Sequence, residues 1–143
     1  VAVFVRCFRL SKNPVIAIVD DDRPVREALF DLLQVEGLSA RTFENGVDFL
    51  ADGAVDRFDC VITDVRMPGL DGLELQRRLR MRGSPTPVIF ITSSVEDETR
   101  VRALRDGAFA WFTKPVADEA LLTALNAALE GGAAADTLKP PGI

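Results

Sequence analysis

This chain predicts an α/β protein, a (βα)5 doubly wound parallel five-stranded sheet with helices on both faces. Three observations carry that reading. Five apolar runs, Val15–Val19, Leu38–Thr42, Phe58–Thr63, Pro87–Ile91 and Phe109–Thr113, are each short and bounded by turn-formers, as strands buried on both faces are. The stretches between them carry apolar residues at helical spacing, and strict alternation of the two element types calls for a parallel sheet. Acidic residues follow the first and third runs, at the strand ends where open α/β sheets place their ligands. With the strands ordered 2-1-3-4-5, the winding reverses between strands one and three, the two that end in aspartates.

After the first strand, Val25, Ala28, Leu29, Leu32 and Leu33 recur at helical spacing, with Pro24 suited to a first turn and Gly37 to the exit. Asn45 is a good cap for a short helix over Gly46–Ala51. Asp71 can cap a third helix in which Leu73, Leu75 and Leu79 face inward and Arg77, Arg78, Arg80 and Arg82 face water. Pro85 and Pro87 end that connection. Glu96-Asp97-Glu98 opens a fourth helix, where negative charge complements the helix dipole, with Val101 and Leu104 inside. Asp118 and Glu119 open a fifth, carrying Leu121, Leu122, Leu125 and Leu129.

The domain is expected over residues 14–130, with an N-terminal tail over 1–13 and a flexible tail or linker over 131–143. Gly131-Gly132-Ala-Ala-Ala135 and Pro140-Pro141 give the latter its linker composition. Val1–Leu10 is apolar but broken by Arg6 and Arg9, too short to span a bilayer and unlike a signal peptide. It reads as an added tail, a remnant of a longer chain or a misplaced start.

At 143 residues, one domain with a real core is expected. A net charge of −5 argues against non-specific nucleic-acid binding, and residues 15–130 are more acidic still, with 13 basic against 21 acidic side chains. Two cysteines are too few for a disulfide scaffold, and Cys60, inside an apolar run, reads as a buried reduced thiol. A reducing, cytoplasmic location fits. The chain has no histidine, which removes imidazole-based catalysis and imidazole–zinc sites.

Asp20, Asp21 and Asp22 follow the first strand, and Asp64 follows the third. Four acids in one crevice would repel by roughly 4 kcal/mol per pair at ~4 Å and an effective dielectric of ~20. A cation must neutralise them. Met67-Pro68-Gly69 folds the loop after Asp64 back while its carbonyls stay free, and carboxylates plus a carbonyl suit small, hard Mg²⁺ better than zinc. Lys114 is the sole lysine between residues 15 and 130 in a chain of 14 arginines and 3 lysines, which points to a need for a compact charge. It follows the fifth strand and precedes Pro115, whose peptide is a candidate for the cis form. Thr92, at the end of the fourth strand, offers a hydroxyl for an anionic oxygen.

The set Val19-Asp20-Asp21-Asp22, Asp64 with Met67-Pro68-Gly69 and Asp71-Gly72, Ile91-Thr92-Ser93, and Lys114-Pro115 resembles the receiver domain of two-component response regulators. The resemblance covers residues 14–130, with every landmark in order, and implies the flavodoxin-like receiver fold. It implies that Asp64 is the phosphoacceptor, taking phosphoryl from a sensor histidine kinase or from acetyl phosphate. It implies Mg²⁺ ligated by Asp21 and Asp64, with Asp20 acting through water and Arg66 lending its backbone carbonyl. Thr92 and Lys114 would hold phosphoryl oxygens, and positioning with charge neutralisation would do the work of transfer.

Trp111 stands three residues before Lys114, where receivers carry a switch aromatic that turns inward as Thr92 moves. Coupling would pass to the fourth helix, fifth strand and fifth helix, the expected contact face for a second copy. Val116 departs from the Phe that often follows Lys-Pro, and Arg66 and Ser94 stand at positions that tune phosphoryl lifetime. The implied role is a switch rather than an enzyme, its only catalysis being its own phosphorylation and dephosphorylation. The output is a downstream protein or an effector domain, with no nucleic-acid or membrane contact from this chain.

Two other classes are weighed against it. An Mg²⁺-dependent phosphohydrolase with an aspartyl-phosphate intermediate needs a second acid two residues after the nucleophile, and Arg66 stands there. A flavodoxin-like cofactor binder needs a Gly/Ser/Thr-rich phosphate cradle, and the loop after the first strand is acidic.

Overall fold

The structure is a computed structural model and describes residues 13–130. The expected tails over 1–13 and 131–143 lie outside the described residues, Asn13 excepted. Strands β1 (Val15–Val19), β2 (Ser39–Phe43), β3 (Cys60–Thr63), β4 (Val88–Thr92) and β5 (Ala110–Thr113) alternate with helices. These are α1 (Arg23–Val35), α2 (Gly46–Ala51), α3 (Gly72–Met81), α4 (Asp97–Arg105) and α5 (Asp118–Leu129). The sheet order is β2-β1-β3-β4-β5 and every pairing is parallel, as the alternation predicts.

The sheet separates two apolar clusters. Side chains of α2, α3 and α4 pack on one face around Ala17, Val61 and Phe90. Those of α1 and α5 pack on the other around Ile16, Ile62 and Ile89. β1, β3 and β4 are buried on both faces, which is why their sequences run almost unbroken in apolar residues. The register pairs Val19 with Thr63, so the residues after each, Asp20 and Asp64, leave the sheet side by side.

The helix starts follow the sequence signals. Asn45 accepts from the Asp48 N–H at 2.7 Å and Asp71 from the Glu74 N–H at 2.8 Å. Gly37 leaves α1 with φ of 78°, a left-handed conformation that favours glycine. Glu74 then bonds both Arg77 and Arg78, which pulls its carboxyl down to about 2.

Three expectations change, and one element is added. β2, β3, β4 and β5 all start later than their apolar runs; Leu38 and Phe58 are buried as the chain enters the sheet rather than within it. A short 3-10 helix, Val55–Arg57, precedes β3. Val101 and Leu104 do not lie inside: they are 45% and 43% exposed, and Ala103 is the buried residue of α4. The helix approaches the core on its smallest side chain, which turns the larger pair to the flank. Arg80 does not face water either. Its guanidinium donates to the Ser84 and Thr86 carbonyls at 3.1 and 2.8 Å, and burial pulls its pKa down.

Gly72 begins α3 under a steric constraint. A Cβ there would collide with the Asp64 carbonyl oxygen and sit 3.1 Å from Phe90 Cε1. Gly72→Ala is therefore expected to destabilise the fold by about 1–3 kcal/mol, the usual range for overpacking. Urea denaturation reads this as a lowered midpoint, and an unchanged midpoint would contradict the close approach.

Candidate functional site

Of the three acids after β1, each does something different. Asp20 is buried; its N–H donates to the Phe43 carbonyl, and its own carbonyl accepts from Arg26 Nη1 at 2.7 Å. Its Oδ1 accepts from the Asp22 N–H at 2.9 Å. Asp22 faces the other way and caps α1, accepting from the Val25 N–H at 3.5 Å. The expected gathering of four acids is thus a gathering of three: carboxylate oxygens of Asp20, Asp21 and Asp64 lie within 4.8 Å of one another. Asp22 is lost to the cluster because a helix start needs its cap.

Asp64 is 6% exposed. Its Oδ1 accepts from the Val65 N–H at 2.6 Å and its Oδ2 from Lys114 Nζ at 2.8 Å. Lys114 Nζ also reaches Asp20 Oδ2 at 3.3 Å, so one ammonium bridges two strands' aspartates. The Lys114 N–H donates to the Thr92 carbonyl at 2.8 Å, and the Lys114–Pro115 peptide is cis. Burial raises the Asp20 carboxyl above its ordinary range, against the lowering pull of the Asp22 N–H and Lys114. Burial pulls the Lys114 ammonium down, but the bonds and fields of Asp64 and Asp20 outweigh it and leave it raised.

Thr92 is fully buried at the end of β4, and its hydroxyl oxygen accepts from the Ser94 N–H at 3.1 Å. Its own proton stays free to donate. Arg66 turns its side chain out of the cluster, pairing with Glu96 Oε1 at 2.7 Å on the exposed rim. Trp111 is half-buried, its ring 5.6 Å from that of Phe90. Gly69 has φ of 78°, the conformation that lets the Met67-Pro68-Gly69 turn fold back. Arg26 is the supporting residue that sequence reasoning missed. Its signal was weak, an arginine one turn after the acids on a helix that happens to return over them.

The donor set suits a hard dication. Three carboxylates face one ammonium, which leaves two negative charges uncompensated in a largely buried cluster. Every ligand atom is oxygen, the preference of Mg²⁺ and not of a soft metal.

Comparison with known proteins agrees. A family model described as the response regulator receiver domain matches residues 16–126. The response regulator protein TodT of Pseudomonas putida is 43% identical over 120 residues, covering 84% of this chain and 53% of TodT. The transcriptional regulatory protein TdiR of Thauera aromatica is 40% identical over 114 residues, covering 80% and 50%. Among solved structures, the Vibrio cholerae chemotaxis protein CheY4 superposes with a TM-score of 0.72 at 32% identity, covering 78% of this chain and 95% of CheY4. The chain spans about half the length of the curated relatives it matches. Among the described residues, no helix is long and apolar enough to cross a membrane. With the sheet order in place and the family pattern running through nearly all of the described residues, the chain belongs to the response regulator receiver domains of two-component systems.

Proposed function

We propose that this domain is a switch thrown when Asp64 accepts a phosphoryl group from a sensor histidine kinase. One observation carries the reading: the Asp64 carboxylate sits where two neighbouring acids and the Lys114 ammonium converge. An Asp64 carboxylate oxygen attacks phosphorus as the bond to the kinase's imidazole nitrogen breaks, so a P–O bond replaces a P–N bond. Lys114, already 2.8 Å from Asp64, neutralises the incoming oxygens, and the free Thr92 proton is donated to one of them. Asp20, Asp21, Asp64 and the Arg66 backbone carbonyl would hold Mg²⁺, which supplies further charge neutralisation. Asp20, buried and bonded to the Asp22 N–H, keeps the acidic wall in place.

Residues 14–130 form the switch, and the output is an effector domain or protein partner reached through α4, β5 and α5. Half the length of TodT and TdiR lying outside the match supports a further domain. Apolar Val95, Val101 and Leu104, exposed on and beside α4, suit a contact with that partner or with a second copy. The location is cytoplasmic, with no nucleic-acid contact from this domain. Phosphohydrolase chemistry is disfavoured, since Arg66 is a cation tied to Glu96 where a general acid is needed.

Acetyl phosphate with Mg²⁺ is expected to add one phosphoryl group, read by intact mass and placed on Asp64 by peptide mapping. Label on Ser or Thr instead would overturn the assignment. Trp111 is the only tryptophan, so its fluorescence is expected to change when beryllofluoride and Mg²⁺ are added. An unchanged spectrum in a protein that takes up phosphoryl would remove Trp111 from the switch.

A further inference from the structure

Gln76 is fully buried in α3, and neither its amide nitrogen nor its carbonyl oxygen has a hydrogen-bond partner. Among the described residues it is the only side chain in that condition. An unmade bond on a buried polar group is costly, so an apolar residue would serve the resting fold better. A buried orphan of this kind calls for an explanation in a second state of the protein.

The surroundings of Gln76 indicate that state. Gly72 lies one turn earlier on the same face of α3, and a Cβ there would sit 3.1 Å from Phe90 Cε1, so this face of the helix looks onto the Phe90 ring. Long helical side chains point toward the helix N-terminus, which directs the Gln76 amide over Gly72 and toward Phe90. The far neighbour of Phe90 is Trp111, half-buried and without a hydrogen-bond partner for its indole N–H among the described residues. A donor that would lose water on turning inward thus packs on the same ring, Phe90, that the Gly72 turn of α3 meets, one turn before the unpartnered Gln76.

We propose that Gln76 is the positioning residue that receives the Trp111 indole N–H when the switch is thrown. The Gln76 carbonyl oxygen accepts from the indole N–H, so that buried acceptor is satisfied only in the phosphorylated form. The bulk and N–H of tryptophan, costly to bury alone, then become the feature that holds the inward state. This rests on Asp64 being the phosphoacceptor.

The test is a double-mutant cycle in Mg²⁺ buffer, with beryllofluoride affinity measured by calorimetric titration for the whole chain. Gln76→Leu is expected to weaken beryllofluoride on the order of tenfold when Trp111 is present, one hydrogen bond plus the relief of an orphan. With Trp111→Phe, which keeps a ring and removes the N–H, the same change is expected to cost no more than about twofold. Without beryllofluoride, Gln76→Leu should raise the melting temperature. The indole proton of Trp111, a single NMR signal in the unaltered protein, should exchange more slowly once beryllofluoride is added. Equal losses in both backgrounds, or an indole that exchanges as fast as before, overturn the proposal while leaving Asp64 untouched. A wild type indifferent to beryllofluoride overturns both readings.

Discussion

Asp64→Asn is expected to take up no phosphoryl group from acetyl phosphate under conditions where the unaltered protein is labelled on one residue. The amide is nearly the same shape and cannot act as the nucleophile. The fold should survive, because Asp64 stands after β3 and its contribution to the sheet is a backbone bond to Val19 at 3.2 Å. Mg²⁺ affinity should fall by at least on the order of tenfold, since one of three clustered carboxylates is gone. The substitution also removes a negative neighbour that raises the Asp20 carboxyl, although the bond from Lys114 to Asp64 weakens at the same time. Intact-mass measurement decides the matter, and a phosphoryl group still acquired at the normal rate would place the acceptor elsewhere.

Lys114→Ala is expected to slow phosphorylation by about 10²–10³-fold, the usual loss when one donor to a developing charge is removed. Its effect on stability comes from what is left behind. Asp20 and Asp64 would remain buried without the ammonium that bridges them at 3.3 and 2.8 Å, a cost of about 1–3 kcal/mol for unsatisfied groups. The pH dependence has a definite sign. Lys114 is raised in the folded protein, so its contribution is complete below the ordinary lysine value of 10.5 and is lost as pH climbs through the folded value. Asp20 is also raised, so its charged form costs stability, and that cost is relieved as pH falls through its folded value toward 3.8. Losing Lys114 removes a lowering influence on Asp20, so the gap between the variant and the unaltered protein should narrow on acidification. Mg²⁺ should rescue the variant's melting temperature more than that of the unaltered protein. A deficit indifferent to both acid and Mg²⁺ would show that Lys114 acts through packing rather than charge.

Much of this arrangement could be read from residue order because the controlling signals are local. Apolar runs bounded by turn-formers mark strands, Asn45 and Asp71 mark helix starts, and Asp64 and Lys114 follow strands of one parallel sheet. Parallel strands send their carboxyl ends to one edge, so residues 50 positions apart meet there at 2.8 Å. Signals that depend on the third dimension were not legible. Leu38 and Phe58 are apolar because they are buried, and burial does not distinguish the last loop residue from the first strand residue. Val101 and Leu104 sit at a core-like spacing, yet α4 docks through Ala103 alone. Arg80 lies among solvent-facing arginines in sequence, but only the returning chain at Ser84 and Thr86 supplies the carbonyls that bind it. Asp22 looked like a fourth acid of the cluster, and the competing demand of a helix cap took it away.

Crystals of the protein grown with Mg²⁺ and beryllofluoride test the central claim most directly. The expected result is a metal bound by oxygens of Asp21 and Asp64, with the fluoride adduct on Asp64 and its fluorines met by Thr92 and Lys114. A metal and adduct lodged away from Asp64, with the Asp20, Asp21 and Asp64 carboxylates turned from one another, would contradict it.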